Sequence, residues 1–179
     1  MYKKLLNSEL GRVTQEEYRE QAKTPVVLIL DNIRSQHNIG AAFRTADAFA
    51  LEKIYLCGIC ATPPSAEIRK AALGAEESVD WEYNESTLSV VERLKTEGFT
   101  PLAVEQTVNS VMLNKFIPHS GKKYALIFGN EVKGVSQDVV DICEGTIEIP
   151  QFGTKHSLNV SVSVGVVLWE VVSKMGKLF

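Results

Sequence analysis

The hydrophobic period changes abruptly near the start of the chain, and that change limits the fold severely. Val26-Val27-Leu28-Ile29-Leu30 is an unbroken apolar run rich in β-branched residues. A strand with one wet face would alternate, so a continuous run points to a parallel strand covered on both sides. Directly after it, Ile39, Ala42, Phe43, Ala46, Phe49 and Ala50 recur at the spacing of one helical face. The alternation continues. Residues 53–58 read as a second strand, 65–73 as a short helix after Pro63-Pro64, and 79–83 as a third strand. Ser86-Thr87 caps a helix that ends at Gly98, the glycine expected just past a helix C-terminus. Residues 99–104, 124–128 and 146–149 complete the strands. Strands separated by helices define an α/β domain with a mostly parallel sheet.

The two ends of the chain read differently. Thr14-Gln15-Glu16-Glu17 has the form of a capping box, so a short polar helix is expected from Gln15 to about Lys23, where Pro25 stops it. Residues 1–24 are then a short helical extension and 25–179 a single domain, a length that buries a real core. Near the other end, Val160, Val162, Val164 and Val166 alternate with Ser161, Ser163 and Gly165, which is a strand's period. Yet the apolar run continues through Val167-Leu168-Trp169 to Val171-Val172, long for a strand. Periodicity leaves this segment open between strand and helix.

Composition removes several function classes. The longest apolar runs fall far short of the roughly 18 residues that cross a membrane. Two lysines near the N-terminus are followed by no apolar stretch, so a secretory signal is not expected and a cytoplasmic location is. Three cysteines give an odd count, against a disulfide framework. Cys57 and Cys60 form a C-x-x-C, but no second ligand pair completes a zinc site; two buried small residues are the better reading, and no metal is expected. The net charge of −3 runs against a basic nucleic-acid binder. Local field depends on placement, however, and Arg12, Arg19, Arg34, Arg44, Lys133 and Lys155 could gather around one cleft.

In open parallel sheets, ligands bind beyond the carboxyl ends of the strands. Four polar segments lie there: 31–40, Glu105-Gln106-Thr107, 129–134 and 150–159. Neither a P-loop nor G-x-G-x-x-G is present, and Ser157 lies in no G-x-S-x-G elbow. What remains is a site of backbone amides, asparagines, one arginine and one glutamate. Such a set suits binding a polar cofactor and orienting a hydroxyl.

Taken together, these loops resemble the three motifs of the TrmH/SpoU family. Asn38-Ile39-Gly40-Ala41-Ala42-Phe43-Arg44-Thr45-Ala46 is similar to the first, N-x-G-x-x-x-R-x-A. Phe128-Gly129-Asn130-Glu131-Val132-Lys133-Gly134-Val135 is similar to the second, and Ile149-Pro150 followed by Ser157-Leu158-Asn159-Val160-Ser161-Val162 to the third. Each is weak alone; in order and at this spacing they are specific, and the match runs from about Pro25 to the C-terminus. Gln151 departs from the methionine often found after the Ile-Pro pair.

The resemblance implies an S-adenosylmethionine-dependent RNA methyltransferase that modifies a ribose 2′-hydroxyl of tRNA or rRNA. The alternatives are a non-catalytic RNA-binding or assembly factor that keeps the fold, and a methyltransferase on another substrate. It implies helices on both faces of the sheet, a C-terminal deep trefoil knot, a helix from Ser157 onward, and a homodimer whose sites are completed by the partner. It places the cofactor against Val104, Glu105, Gly129, Asn130, Ile149, Pro150, Ser157 and Leu158. Arg44 would act at the ribose, with Asn38, Glu131, Ser157 and Asn159 holding it and the substrate phosphate. A guanidinium keeps its proton near neutral pH, so positioning and phosphate pairing suit Arg44 better than the role of base.

Overall fold

The computed structural model describes residues 1–176. Seven strands alternate with helices: β1 (Thr24–Asp31), β2 (Leu51–Cys57), β3 (Trp81–Asn84), β4 (Phe99–Val104), β5 (Val111–Met112), β6 (Lys123–Gly129) and β7 (Gly145–Glu148). They form one sheet in the order β3-β2-β1-β6-β4-β7-β5, and every pairing is parallel. β1 explains why its run is unbroken: Val26, Leu28 and Leu30 enter one core and Val27 and Ile29 the other.

Helices cover both faces, as expected. On the first lie α1 (Gln15–Glu20), α2 (Gln36–Ala48), α3 (Ala66–Ala72), α4 (Ala75–Ser78) and α7 (Val160–Lys174); on the second, α5 (Thr87–Thr96) and α6 (Gln137–Ile142). The capping box forms: Glu17 N donates to Thr14 Oγ1 at 3.2 Å, and Thr14 N to Glu17 Oε2 at 2.7 Å. α1 ends sooner than its polar pattern, and Tyr18 ties the extension into the main core. Gly98 has φ +85°, just past the Glu97 C-cap, as its position implied. The short β5, α4 and α6 carried too few apolar residues to stand out in the sequence.

The ambiguous C-terminal run is a helix. Val160, Val164, Val167, Leu168, Val171 and Val172 are buried, at spacings of three and four, while Val162, Val166 and Trp169 stay exposed. A run apolar at nearly every position satisfies both periods, so the cap decides. Asn159 Oδ1 accepts from Ser161 N at 2.9 Å and from the Ser161 hydroxyl at 2.6 Å, and the helix starts at Val160 rather than Ser157. α7 packs on α2 and β6. Cys57 and Cys60 are buried on opposite faces of the sheet; burial pushes their thiols up to about 12 and about 11. Cys60 Sγ accepts from Ile33 N at 3.2 Å and donates to Leu30 O at 3.3 Å, a structural use. Among the described residues no helix is long and apolar enough to cross a membrane.

Candidate active site

Three loops leave the carboxyl ends of β4, β6 and β7, the central and neighbouring strands of the sheet, and enclose a cavity of about 310 Å³. Val104, Glu105, Gly129, Asn130, Ile149, Ser157 and Leu158 all line it, so seven of the eight expected cofactor contacts share one wall. Pro150 does not. It faces an adjoining apolar groove with Leu113, Val166 and Trp169. Sequence reasoning missed Gln106, Phe128, Ile147 and His156, which also line the cavity. Gln106 and His156 stood within the polar loops but carried no motif.

The loop after β6 is tight. Asn130 Oδ1 accepts from Val132 N at 3.0 Å and Lys133 N at 2.9 Å, and Gly134 N donates to Asn130 O at 2.9 Å. The chain folds back so closely that a Cβ on Gly129 would stand 1.9 Å from the Gly134 carbonyl carbon. Gly129 is therefore demanded by the loop's own backbone. Gly40 answers a different need: its missing Cβ lets α2 cross α3, where it would meet Ile68 O at 2.4 Å.

At the cavity's edge the three motifs meet through side chains. Asn159 Nδ2 donates to Asn38 Oδ1 at 3.3 Å, and Asn38 Nδ2 donates to Glu131 Oε1 at 2.6 Å. Ser35 caps α2 and Asn159 caps α7, so two helix starts line these amides up, Asn38 on the carboxylate and Asn159 behind Asn38. Asn38 is 7% exposed, and a buried amide must pair at both ends; here it does. Glu131 is itself exposed, and among the described residues its Oε2 makes no hydrogen bond.

Arg44 is not part of this group. It lies six residues beyond Asn38 on α2, about 9 Å along the axis and roughly a third of a turn around it. It is exposed and lines a separate groove of about 540 Å³ with Arg12, Tyr18, Asp47 and Leu73.

The cavity suits S-adenosylmethionine. Val104, Phe128, Ile147, Ile149 and Leu158 supply apolar walls for a heterocycle, while Gln106, Asn130, His156 and Ser157 add polar residues to the lining. Among the described residues no metal-binding group of His, Cys, Asp and Glu assembles.

The chain is thus a parallel α/β domain with a cavity beyond the strand ends, edged by a carboxylate that Asn38 holds and Asn159 backs. Residues 25–169 match the model of the SpoU rRNA Methylase family, and the chain belongs to that family. It is 33% identical over 149 residues to a 23S rRNA (guanosine-2′-O-)-methyltransferase of Neisseria meningitidis, covering 83% of this chain and 58% of that one. It is 32% identical over 169 residues to a tRNA (guanosine(18)-2′-O)-methyltransferase of Aquifex aeolicus, covering 93% and 76%. An AdoMet-bound rRNA methyltransferase from Sinorhizobium meliloti superposes with a TM-score of 0.75 at 26% identity, over 87% of this chain and 58% of that one. The chain thus spans little more than half of two of these relatives.

Proposed function

We propose that this chain is an S-adenosylmethionine-dependent methyltransferase acting on a ribose 2′-hydroxyl of tRNA or rRNA. The observation that carries this reading is the line Asn159–Asn38–Glu131, which joins all three motifs at the edge of the cofactor cavity. The activities of the Neisseria and Aquifex relatives, both 2′-O-methylations of guanosine, support the same chemistry.

When bound, the cofactor supplies a methyl group already activated on a sulfonium, so the protein's task is orientation. Val104, Ile149 and Leu158 would press on its apolar parts, and the backbone around Gly129, Asn130 and Ser157 would take its polar ones. Pro150 we assign to the wall of the adjoining groove. Glu131 Oε1 is held by Asn38, leaving Oε2 to accept the hydrogen bond of the ribose hydroxyl and fix its lone pair toward the methyl group. Ser157, exposed on the cavity wall, would reach the substrate phosphate.

We further propose a homodimer in which Arg44 serves the partner's site. Its distance around α2 from Asn38 supports this, as does the apolar strip of Val162, Val166 and Trp169 on α7, beside the groove that holds Pro150. The trefoil threading belongs to the same proposal; β6 and β7 enclose β4, and α7 returns onto α2 and β6. A cytoplasmic location fits an RNA substrate.

Titration with labelled S-adenosylmethionine, with and without total RNA, tests the function. Saturable binding with label passing to RNA is expected. Binding without transfer to any RNA would instead favour the non-catalytic RNA factor or a methyltransferase on another substrate.

A further inference from the structure

We propose that Glu105 and Gln106, the two residues leaving β4, are positioning residues that hold the three loops of the cofactor cavity in register. The inference rests on the methyltransferase reading only for what the cavity binds. Glu105 Oε2 accepts from Val135 N at 3.0 Å, and Oε1 accepts from Gln106 N at 2.9 Å. Both oxygens are committed to backbone amides, so the carboxylate grips the loop after β6. Gly134 follows from that grip. At φ +66° it brings the chain so close that a Cβ would stand 2.0 Å from Glu105 Oε2. Gln106 reaches the other way, donating from Nε2 to His156 O at 2.9 Å, in the exposed stretch that precedes α7.

A second carboxylate holds the same loop from the opposite side. Asp31, at the end of β1, accepts from Ser136 N at 3.2 Å through Oδ2. Its Oδ1 accepts from Thr87 Oγ1 at 2.5 Å and Asn32 Nδ2 at 2.9 Å. β6 lies between β1 and β4, so the segment after it is gripped at two consecutive amides, Val135 and Ser136, by carboxylates from both flanking strands. Glu131 stands just before that grip. A loop already fixed costs a ligand less ordering on binding, so the clamp acts chiefly on cofactor affinity.

Glu105→Gln is nearly isosteric, but it turns one acceptor into a donor facing an N–H. The measurements are backbone hydrogen exchange over 129–137 and 150–158, calorimetric affinity for S-adenosylhomocysteine, and kcat at saturating cofactor. Val79→Ala, in the core between α4 and β3, serves as a control for general destabilisation, its Tm measured beside that of Glu105→Gln. Glu105→Gln should lose protection across 130–136 and bind about tenfold or more weakly, with kcat changed by less than about threefold. Gln106→Ala should loosen 151–158, and Val79→Ala should do neither. Unchanged exchange and affinity in Glu105→Gln would overturn the proposal, as would an equal loss of affinity in Val79→Ala. Wild-type protein that binds no S-adenosylhomocysteine would sink the methyltransferase reading alone, and the exchange of 130–136 would still decide the clamp.

Discussion

Arg44 and Asn38 share a helix and one sequence motif, yet they face different surroundings: Asn38 is buried against Glu131, and Arg44 stands exposed beside Arg12 and Asp47. A surface arginine in a weak ion pair could be removed at little cost. One that contacts the ribose phosphate in the transition state could not; Arg44→Ala should keep cofactor affinity and lose about 3 kcal/mol, roughly a hundredfold in transfer rate. If the contact is made across a dimer, mixing Arg44→Ala with Asn38→Ala protein should restore activity, because the mixed dimer carries one intact site. No recovery would place Arg44 in its own protomer's site or outside catalysis. The polar loops beyond the strand ends were legible as a cluster, but the roles of the residues in them came only from the resemblance to three family motifs. What stayed hidden was partnership. That Asn38 is the bridge, that Glu105 is committed to Val135, and that Asp31 is held by Thr87 depend on residues far apart in the chain.

Elements were read reliably where hydrophobic period and capping agreed, as in β1, α2 and α5, and poorly where the period was degenerate. α7 is the instructive case. Its valines satisfy strand and helix alike, and only burial at three- and four-residue spacings, begun by the Asn159 cap, separates them. Gly40 shows the opposite limit, a residue whose role no period reveals. Built as alanine, its Cβ would meet Ile68 O at 2.4 Å, the Ala71 Cβ at 2.8 Å and Ala72 N at 3.1 Å, two of them backbone atoms that cannot turn aside. Gly40→Ala should therefore force α2 from α3 at a cost of about 1–3 kcal/mol and lower Tm by roughly 2–12 °C, read by calorimetry. An unchanged Tm would mean the crossing is looser than these distances require.

At the scale of the whole molecule, the strand order brings the ends of β4, β6 and β7 side by side although they lie tens of residues apart in sequence, and the cavity exists only because of that order. The parallel class was legible from unbroken apolar runs. The order was not, since no local pattern states which strand neighbours which. The outward strip of α7 and the groove beside Pro150 form one apolar surface, which the proposed dimer would cover. If Glu131 orients the ribose hydroxyl, the product of transfer is a 2′-O-methylnucleoside. Purified protein incubated with labelled S-adenosylmethionine and fractionated tRNA and rRNA, followed by digestion to nucleosides and mass spectrometry, reads that product directly. Label is expected on the ribose as a 2′-O-methylnucleoside, lost in Glu131→Ala; label on a base, or on no RNA nucleoside at all, would overturn ribose methylation at this site.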